Sequence, residues 1–491
     1  MKIQKFFNKN IPAEKKFIII LALCLSFVLP GCAAKDTKSK GTLPSDTEIN
    51  EKNTTQIANE SASNQQIVSL NETESSEQNN SQTDTELSES SDDVIENTLS
   101  LELLAEKENT DLSASFTIGM IGDVLFHEWL IAGGLQADGT YYYPYIYEYL
   151  EPDVNNLDFA MFNMEGTLAG PPYVGYPIFS APSELASSMA EKGFDLATTA
   201  SNHSVDRGVE GMYATIEALR SAGLENLGTR KEGDPPYFST ELNGIKVAIS
   251  TASYTTPKIN GQISLNGIPV PAEVEHLIDT FSLEEAYMYD DMAKLQERAR
   301  TMREDGNEVV IFIMHWGTEY SLQEDWFQEL YAQALADAGV DMVFGMHPHV
   351  VEPIKTVKSE DGKHNMLVYY SLGNSVSDQD YWTADMMGHC QDGLMGIVTF
   401  DRDKEGKISI SECGYMATYC HMIKIAADAT QSQVIPIKRA LENPEAYGIY
   451  DISLIQGSAE RTANIMSNNS VEGLEFKEYD SVPVFHIESV E

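Results

Sequence analysis

Short apolar runs of strand character recur along the chain, and each runs into a polar loop before the next helix or strand begins. Ser115 to Ile121 leads into Gly122-Asp123, and Leu157 to Phe162 into Asn163-Met164-Glu165-Gly166. Asp195 to Thr199 leads into Ala200-Ser201-Asn202-His203, and Glu308 to Met314 into His315-Trp316-Gly317. Val340 to Phe344 leads into Gly345-Met346-His347-Pro348-His349, and Met366 to Tyr370 into Ser371-Leu372-Gly373-Asn374. Lys246 to Thr251 reads as a further strand. Helical periodicity falls between them. Ser183 to Lys192 stops at Gly193, Val209 to Ala222 has Gly223 as its C′ residue, and Leu322 to Ala338 stops at Gly339. Ala272 to Arg303 also contains helix, with a charged face on its second half. This order predicts an α/β domain in which helices cover a sheet. Gly393 to Phe400 and Lys407 to Tyr415 read as a late antiparallel hairpin. From about Asp428 the signal weakens, although Val434 to Leu441 has helical character.

The polar groups fall where the strands end. Asp123, Glu165, Asn202, His203, His315, His347 and His349 come from five separate loops of this kind. In open α/β folds the carboxyl ends of the strands form the active-site rim. Taken singly, each has an ordinary explanation: a helix cap for Asp123, a solvated acid for Glu165, a turn residue for Asn202, core or surface contacts for the histidines. Their shared position argues for one site. On an extended segment residues i and i+2 face the same way, so His347 and His349 are predicted to point together. Gly345 would let the backbone bend there and Pro348 would stiffen it. Neutral imidazole is the commonest nitrogen donor to Zn, Mn or Fe, and the set lacks thiolates.

The ends of the chain differ from its middle. Lys2, Lys5, Lys9, Lys15 and Lys16 precede an apolar run from Phe17 to Val28, followed by Leu29-Pro30-Gly31-Cys32. The run is short of the about 20 residues that span a bilayer. It reads as a signal peptide ending in a lipobox, with Cys32 the lipidated first residue of the mature protein. From Ala33 to about Leu112 the chain is rich in Ser, Thr, Asn, Gln, Glu and Asp and carries no aromatics. That is the composition of a disordered, self-repelling linker. The expected organisation is therefore leader 1–32, linker 33–112, folded domain 113–425 and a C-terminal extension 426–491 of unassigned role. This places the protein on the extracytoplasmic face of the membrane, held there by its lipid.

The 491 residues include 32 Lys and Arg against 76 Asp and Glu, a net charge of −44. Cleavage before Cys32 removes five lysines and Glu14, leaving 27 against 75, or −48. So acidic a chain lacks the cationic surface that nucleic acids require. Apart from Cys24 and Cys32 of the signal region, Cys390, Cys413 and Cys420 remain without a Cys-x-x-Cys pair, and no disulfide is forced by their spacing. The tyrosines at 141, 142, 143, 145, 147 and 149 are expected to pack on a half-buried surface. No Gly-x-Ser-x-Gly elbow or Walker-type phosphate loop is present.

Six blocks together resemble those of the bacterial capsule-synthesis CapA family, which is associated with poly-γ-glutamate capsules. They are Ile121-Gly122-Asp123-Val124, Asn163-Met164-Glu165-Gly166-Thr167, Ala200-Ser201-Asn202-His203-Ser204-Val205-Asp206-Arg207-Gly208, His315-Trp316-Gly317-Thr318-Glu319-Tyr320, Gly345-Met346-His347-Pro348-His349-Val350 and Tyr370-Ser371-Leu372-Gly373-Asn374. They occur in family order across about Ser113 to Cys420. That family is in turn similar to calcineurin-like metallophosphoesterases. The resemblance implies a four-layer α/β/β/α sandwich with a two-metal site at the strand ends. It implies Asp123, Glu165 (as the bridging carboxylate), Asn202, His315, His347 and His349 as metal ligands. It makes His203 the residue assisting the leaving group, and Asp206 is placed to orient it. One or two divalent ions (Mn, Zn or Fe) would be the cofactor.

The chain departs from the phosphoesterase pattern at Leu125, where a histidine is usual, with His127 two residues further on. Glu165 also stands where that pattern has Asp. Three functions compete. The first is a lipid-anchored metal-dependent hydrolase that acts on, or helps assemble or release, an anionic envelope polymer such as poly-γ-glutamate, alongside capsule-synthesis membrane proteins. The second is a non-catalytic polymer-binding or export subunit on the same fold. The third is a phosphodiesterase unrelated to capsules.

Overall fold

A computed structural model describes residues 112–483. The leader with Cys32, the linker up to residue 111 and residues 484–491 lie outside the described residues. The strands visit one sheet, leave it for a second and then return. The first sheet begins with β1 (Leu112–Leu125), β2 (Phe159–Glu165), β3 (Leu196–Thr198) and β4 (Glu225–Leu227), each parallel to the next. The second sheet takes β5 (Phe238–Leu242), β6 (Ile245–Ile259), β7 (Gln262–Leu265), β8 (Ile268–Pro269), β9 (Thr280–Ser282), β10 (Val309–His315), β11 (Met342–Met346), β12 (Ile354–Lys358) and β13 (Asn365–Tyr369). The chain then rejoins the first sheet with β14 (Asn374–Val376), β15 (Asp392–Asp403), β16 (Ile408–Ala426), β17 (Ala429–Pro436) and β18 (Glu475–Glu478). The resulting orders are β17-β16-β15-β1-β2-β3-β4 and β12-β13-β11-β10-β6-β7-β8.

Side-chain alternation explains the layering, because successive residues of a strand face opposite sides. In β10, Val309, Ile311 and Ile313 enter the core between the sheets, while Val310, Phe312 and Met314 face the helices outside. In β2, Phe159 and Met161 point between the sheets, and Ala160, Phe162 and Met164 point outward. The helices are α1 (Glu128–Gly133), α2 (Glu151–Val154), α3 (Glu184–Glu191), α4 (Gly208–Ser221), α5 (Glu285–Glu304), α6 (Trp326–Asp337), α7 (Ile437–Glu442) and α8 (Ile452–Met466). α1, α2 and α3 cover the outer face of the first sheet with Leu130, Val154, Leu185 and Met189. α5 and α6 cover the second with Met292, Leu295, Tyr331 and Leu335. The fold is a four-layer α/β/β/α sandwich, as expected.

The domain end expected at 425 falls inside β16, one residue before its end, and the next strand pairs with it. β17 continues the first sheet antiparallel to β16, and β18 pairs with β16 in parallel. Ile437, Ile455 and Ile465 enter the core between the sheets. Asp392 of β15 accepts from Arg461 Nε at 2.6 Å and Nη2 at 2.7 Å, tying α8 to the sheet. The helix expected over 434–441 begins only at Ile437, because Val434, Ile435 and Pro436 complete β17. Cys390, Cys413 and Cys420 are buried free thiols. Tyr143 and Tyr147 are buried in the outer core of the first sheet, while Tyr142 is exposed.

Candidate metal centre

The parallel strands of both sheets end at one place. β1 runs two residues beyond Asp123, so this acid lies inside the strand rather than after it. The register with β2 shifts between Ile121 and Asp123, at Gly122. A Cβ on Gly122 would overlap the carbonyl oxygen of Gly373. With no side chain there, Asp123 N–H donates to Gly373 O at 3.0 Å. The buried carboxylate of Asp123 accepts from Asn163 Nδ2 at 2.7 Å and from His347 N–H at 3.1 Å.

Glu165 is the last residue of β2 and His315 the last of β10. Asn202 and His203 follow β3 in a loop closed by Ser204. His315 Nε2 lies 2.8 Å from Asn202 Oδ1 and 3.5 Å from Glu165 Oε1. His349 Nδ1 lies 3.5 Å from Asp123 Oδ2 and 3.8 Å from Glu165 Oε2. Glu165, His347 and His349 each offer one donor atom within 4.8 Å of the others'.

His347 and His349 converge, but not by strand alternation. Their φ angles are 100° and 59°, so the backbone is left-handed at both rather than extended. The turn is held from outside: Tyr320 N–H donates to Pro348 O at 2.7 Å, and His347 N–H is taken by Asp123. Nor does Gly345 serve as a bend. It lies within β11, and a Cβ there would overlap Tyr370 O, beside the Trp316 indole whose Nε1–H donates to that same oxygen at 2.9 Å.

The donor set passes a direct test of fit to a cation. Both oxygens of Glu165 and Nδ1 of His347 are buried and have no hydrogen-bond partner. Unsatisfied buried polar atoms of this kind are rare and each costs about 1–3 kcal/mol. A divalent ion taken by nitrogen and oxygen donors would satisfy all three. Burial alone would push the Glu165 carboxyl up, but the imidazoles of His349 and His315 hold it well below the usual carboxylate range. Burial disfavours the His349 cation, yet Glu165 and Asp123 hold its pKa up at about 10. His347, buried beside His315, is pushed well below the ordinary histidine value. The surroundings thus favour the protonated form of His349 and the neutral form of His347.

His203 lies to one side. Its Nδ1 is 2.8 Å from Asp206 Oδ2, which also accepts from Phe179 N–H at 2.7 Å. The Phe179 ring meets His203 edge-on at 4.7 Å and His127 at 5.1 Å. Leu125 is buried and paired with Glu165 across β1 and β2. His127 stands within electrostatic reach of His349 and Glu165, and burial together with His349 pushes its pKa down to about 4. It does not join the converging donors.

Three contributors carried no assigned role in the sequence. Asn163 grips Asp123, lies 3.5 Å from His315 Nδ1 and is itself held by Thr198 Oγ1 at 2.8 Å. Asn374 lies 3.0 Å from His349 Nδ1. Tyr254 packs its ring 4.7 Å from that of His347. The two asparagines stand in strand-end blocks, a signal that could have marked them; Tyr254, inside β6, has none.

The capsule biosynthesis protein CapA of Bacillus anthracis is 26% identical over 297 residues, covering 59% of this chain and 65% of the relative. The PGA biosynthesis protein CapA of Bacillus subtilis is 26% identical over 283 residues, covering 55% and 64%. The chain thus spans less than two thirds of the length of either. Among solved structures, the NAD nucleotidase NadN of Haemophilus influenzae aligns at 14% identity with a TM-score of 0.38, covering 74% of this chain and 57% of that one. The pattern of the bacterial capsule synthesis protein family, PGA_cap, matches residues 117–379, more than half of the chain and every strand that carries the site, and the chain belongs to that family.

Proposed function

We propose that this protein is a metal-dependent hydrolase that acts on, or helps assemble or release, an anionic envelope polymer of the poly-γ-glutamate kind. The observation that carries the reading is Glu165, fully buried with both oxygens unpartnered, beside His347 and His349. Asp123, Asn202 and His315 complete the donor set, and Mn, Zn or Fe suits it. A divalent cation there supplies Lewis acidity and lowers the pKa of water toward neutrality. The chain's own residues do the rest. Asp206 fixes the His203 ring through Nδ1, leaving Nε2 to carry the proton for a leaving group. Phe179 keeps water from one edge of that ring. Lipidation at Cys32 would hold the enzyme outside the membrane beside capsule-synthesis membrane proteins, and the relatives' names support the capsule setting.

Metal analysis tests the reading, together with activity on p-nitrophenyl phosphodiesters and on poly-γ-glutamate. Bound metal, and turnover lost in Asn202→Ala and His347→Ala, is the expected result. No bound metal, with both variants indistinguishable from the parent, would sink it. A second reading has one observation in its favour: Leu125 fills a position where the phosphoesterase pattern has a ligand. In that case the protein binds or exports polymer without turnover, and binding survives chelation and His203→Ala. Activity confined to phosphodiesters would instead favour a phosphodiesterase unrelated to capsules.

A further inference from the structure

We propose that Asn374 is a positioning residue of the metal centre, and that it couples His349 to the loop from 379 to 391. Asn374 opens β14 directly beside Asp123 in parallel register and is buried. Its Oδ1 lies 3.0 Å from His349 Nδ1. Its Nδ2 faces three acceptors: His349 O at 3.3 Å, Gln379 Oε1 at 2.8 Å and Cys390 O at 3.0 Å. Three acceptors around the nitrogen leave the amide a single orientation, with its oxygen toward His349. One side chain therefore sets the plane of a candidate ligand ring and clamps both ends of a loop.

The loop needs that clamp. Ala384, Asp385 and Met387 sit at φ 50°, 58° and 53°, left-handed positions that non-glycine residues seldom take. Tyr381, Trp382 and Met387 are exposed, so little apolar burial holds the middle of the loop in place. At its start Gln379 Nε2 donates to Tyr320 Oη at 3.2 Å, and the Tyr320 ring lies 6.1 Å from that of His349. A strained segment fixed at its ends is released when the ends are freed. An ion that orders His349 therefore tightens the loop, and by linkage a contact that tightens the loop strengthens ion binding.

The experiment pairs Mn²⁺ or Zn²⁺ titration calorimetry with limited chymotrypsin digestion. Cleavage after Tyr381 and Trp382 is read against cleavage after the exposed Tyr450. Because this role rests on the proposed metal centre, the parent is titrated first. Metal should slow cleavage in the loop and leave Tyr450 unaffected. Asn374→Leu should speed loop cleavage, abolish its protection by metal and weaken metal binding about 10–100-fold, as the loss of an outer-shell partner does. Asn374→Asp keeps an oxygen toward His349 but loses the amide hydrogens. It should free the loop as Leu does but weaken metal binding less than Leu, because only the loop's share of the affinity is lost. If Asn374→Leu does not fold, Gln379→Ala should free the loop and weaken metal binding by the loop's share alone.

Unchanged affinity and cleavage in Asn374→Leu would overturn the role, as would equal loss of affinity in the Leu and Asp variants or unchanged cleavage in Gln379→Ala. A parent that binds no metal overturns the metal centre and the coupling with it. Metal binding in a parent whose loop ignores it overturns the coupling alone.

Discussion

The backbone N–H of His347 donates to Oδ2 of Asp123 at 3.1 Å. Asp123 belongs to β1 of the first sheet and His347 follows β11 of the second, so this bond joins the two sheets at the site. The same carboxylate accepts from Asn163 and faces His349 Nδ1. Asp123→Asn keeps the shape but has only one acceptor oxygen and no charge. Metal affinity should fall by more than the about 10–100-fold expected of an outer-shell partner, while the circular dichroism spectrum is retained. Parent-like affinity by calorimetry would remove Asp123 from the centre.

His347 combines an unfavourable backbone with a buried, unpartnered ring nitrogen. Replacing it by glycine or alanine removes the imidazole in both cases, but only glycine tolerates φ near 100°. His347→Gly should therefore melt above His347→Ala by an amount equivalent to about 1 kcal/mol, and neither should bind metal. Equal melting temperatures would mean that the turn relaxes once the ring is gone.

The His203–Asp206 pair should affect turnover and not metal content. Oδ2 of Asp206 takes both His203 Nδ1 and Phe179 N–H while Oδ1 is buried without a partner, so Asp206→Asn keeps the shape and removes the charge facing the ring. Activity on a chromogenic diester should drop about 10²–10⁴-fold, the scale of general acid–base catalysis, with metal stoichiometry unchanged. His203→Ala should lose as much, and the double variant no more. Metal loss in Asp206→Asn would show that the pair is structural.

The sequence showed its strands and the acids and histidines at their ends, because β10 and β2, buried on both faces, read as short apolar runs after which charged groups stand out. It did not show what supports them. Asn163 and Asn374 matter because β2 and β14 bring them level with Asp123, from 40 and 251 residues away. That register is a property of the assembled sheet. His347 and His349 reach the site as expected, yet through a left-handed turn that no periodicity encodes. The chain beyond 426 looked featureless because the buried face of α8 includes Ser458 and Thr462, which dilute its apolar stripe.

Metal uptake should release a proton. In the metal-free site Glu165 and Asp123 hold the His349 pKa at about 10, so the ring is protonated at pH 7, and a ligating imidazole must be neutral. Affinity should then rise with pH, by about tenfold per unit between pH 7 and 9 while one proton is displaced. Calorimetry in buffers of different ionisation enthalpy should count about one proton at pH 7. An affinity independent of pH would place the proton elsewhere.

Glu352 offers a test of stability that leaves the centre alone. It is fully buried three residues past His349, Gln328 Nε2 donates to its Oε2 at 2.8 Å, and its Oε1 has no partner. Burial, with Asp325 and Glu324 nearby, pushes its pKa well above the ordinary glutamate value of 4.5. The folded protein therefore keeps a proton that the unfolded chain gives up above about pH 4.5. Such a group stabilises the fold fully below the unfolded pKa, and that contribution is lost as pH rises toward the folded pKa. The slope is about 1.4 kcal/mol per pH unit. Glu352→Gln mimics the protonated acid and does not titrate. Its stability relative to the parent should grow between pH 5 and 8 in denaturant melts, leaving the variant the more stable protein at pH 8. A difference that stays constant with pH would mean that Glu352 is ionised in the fold.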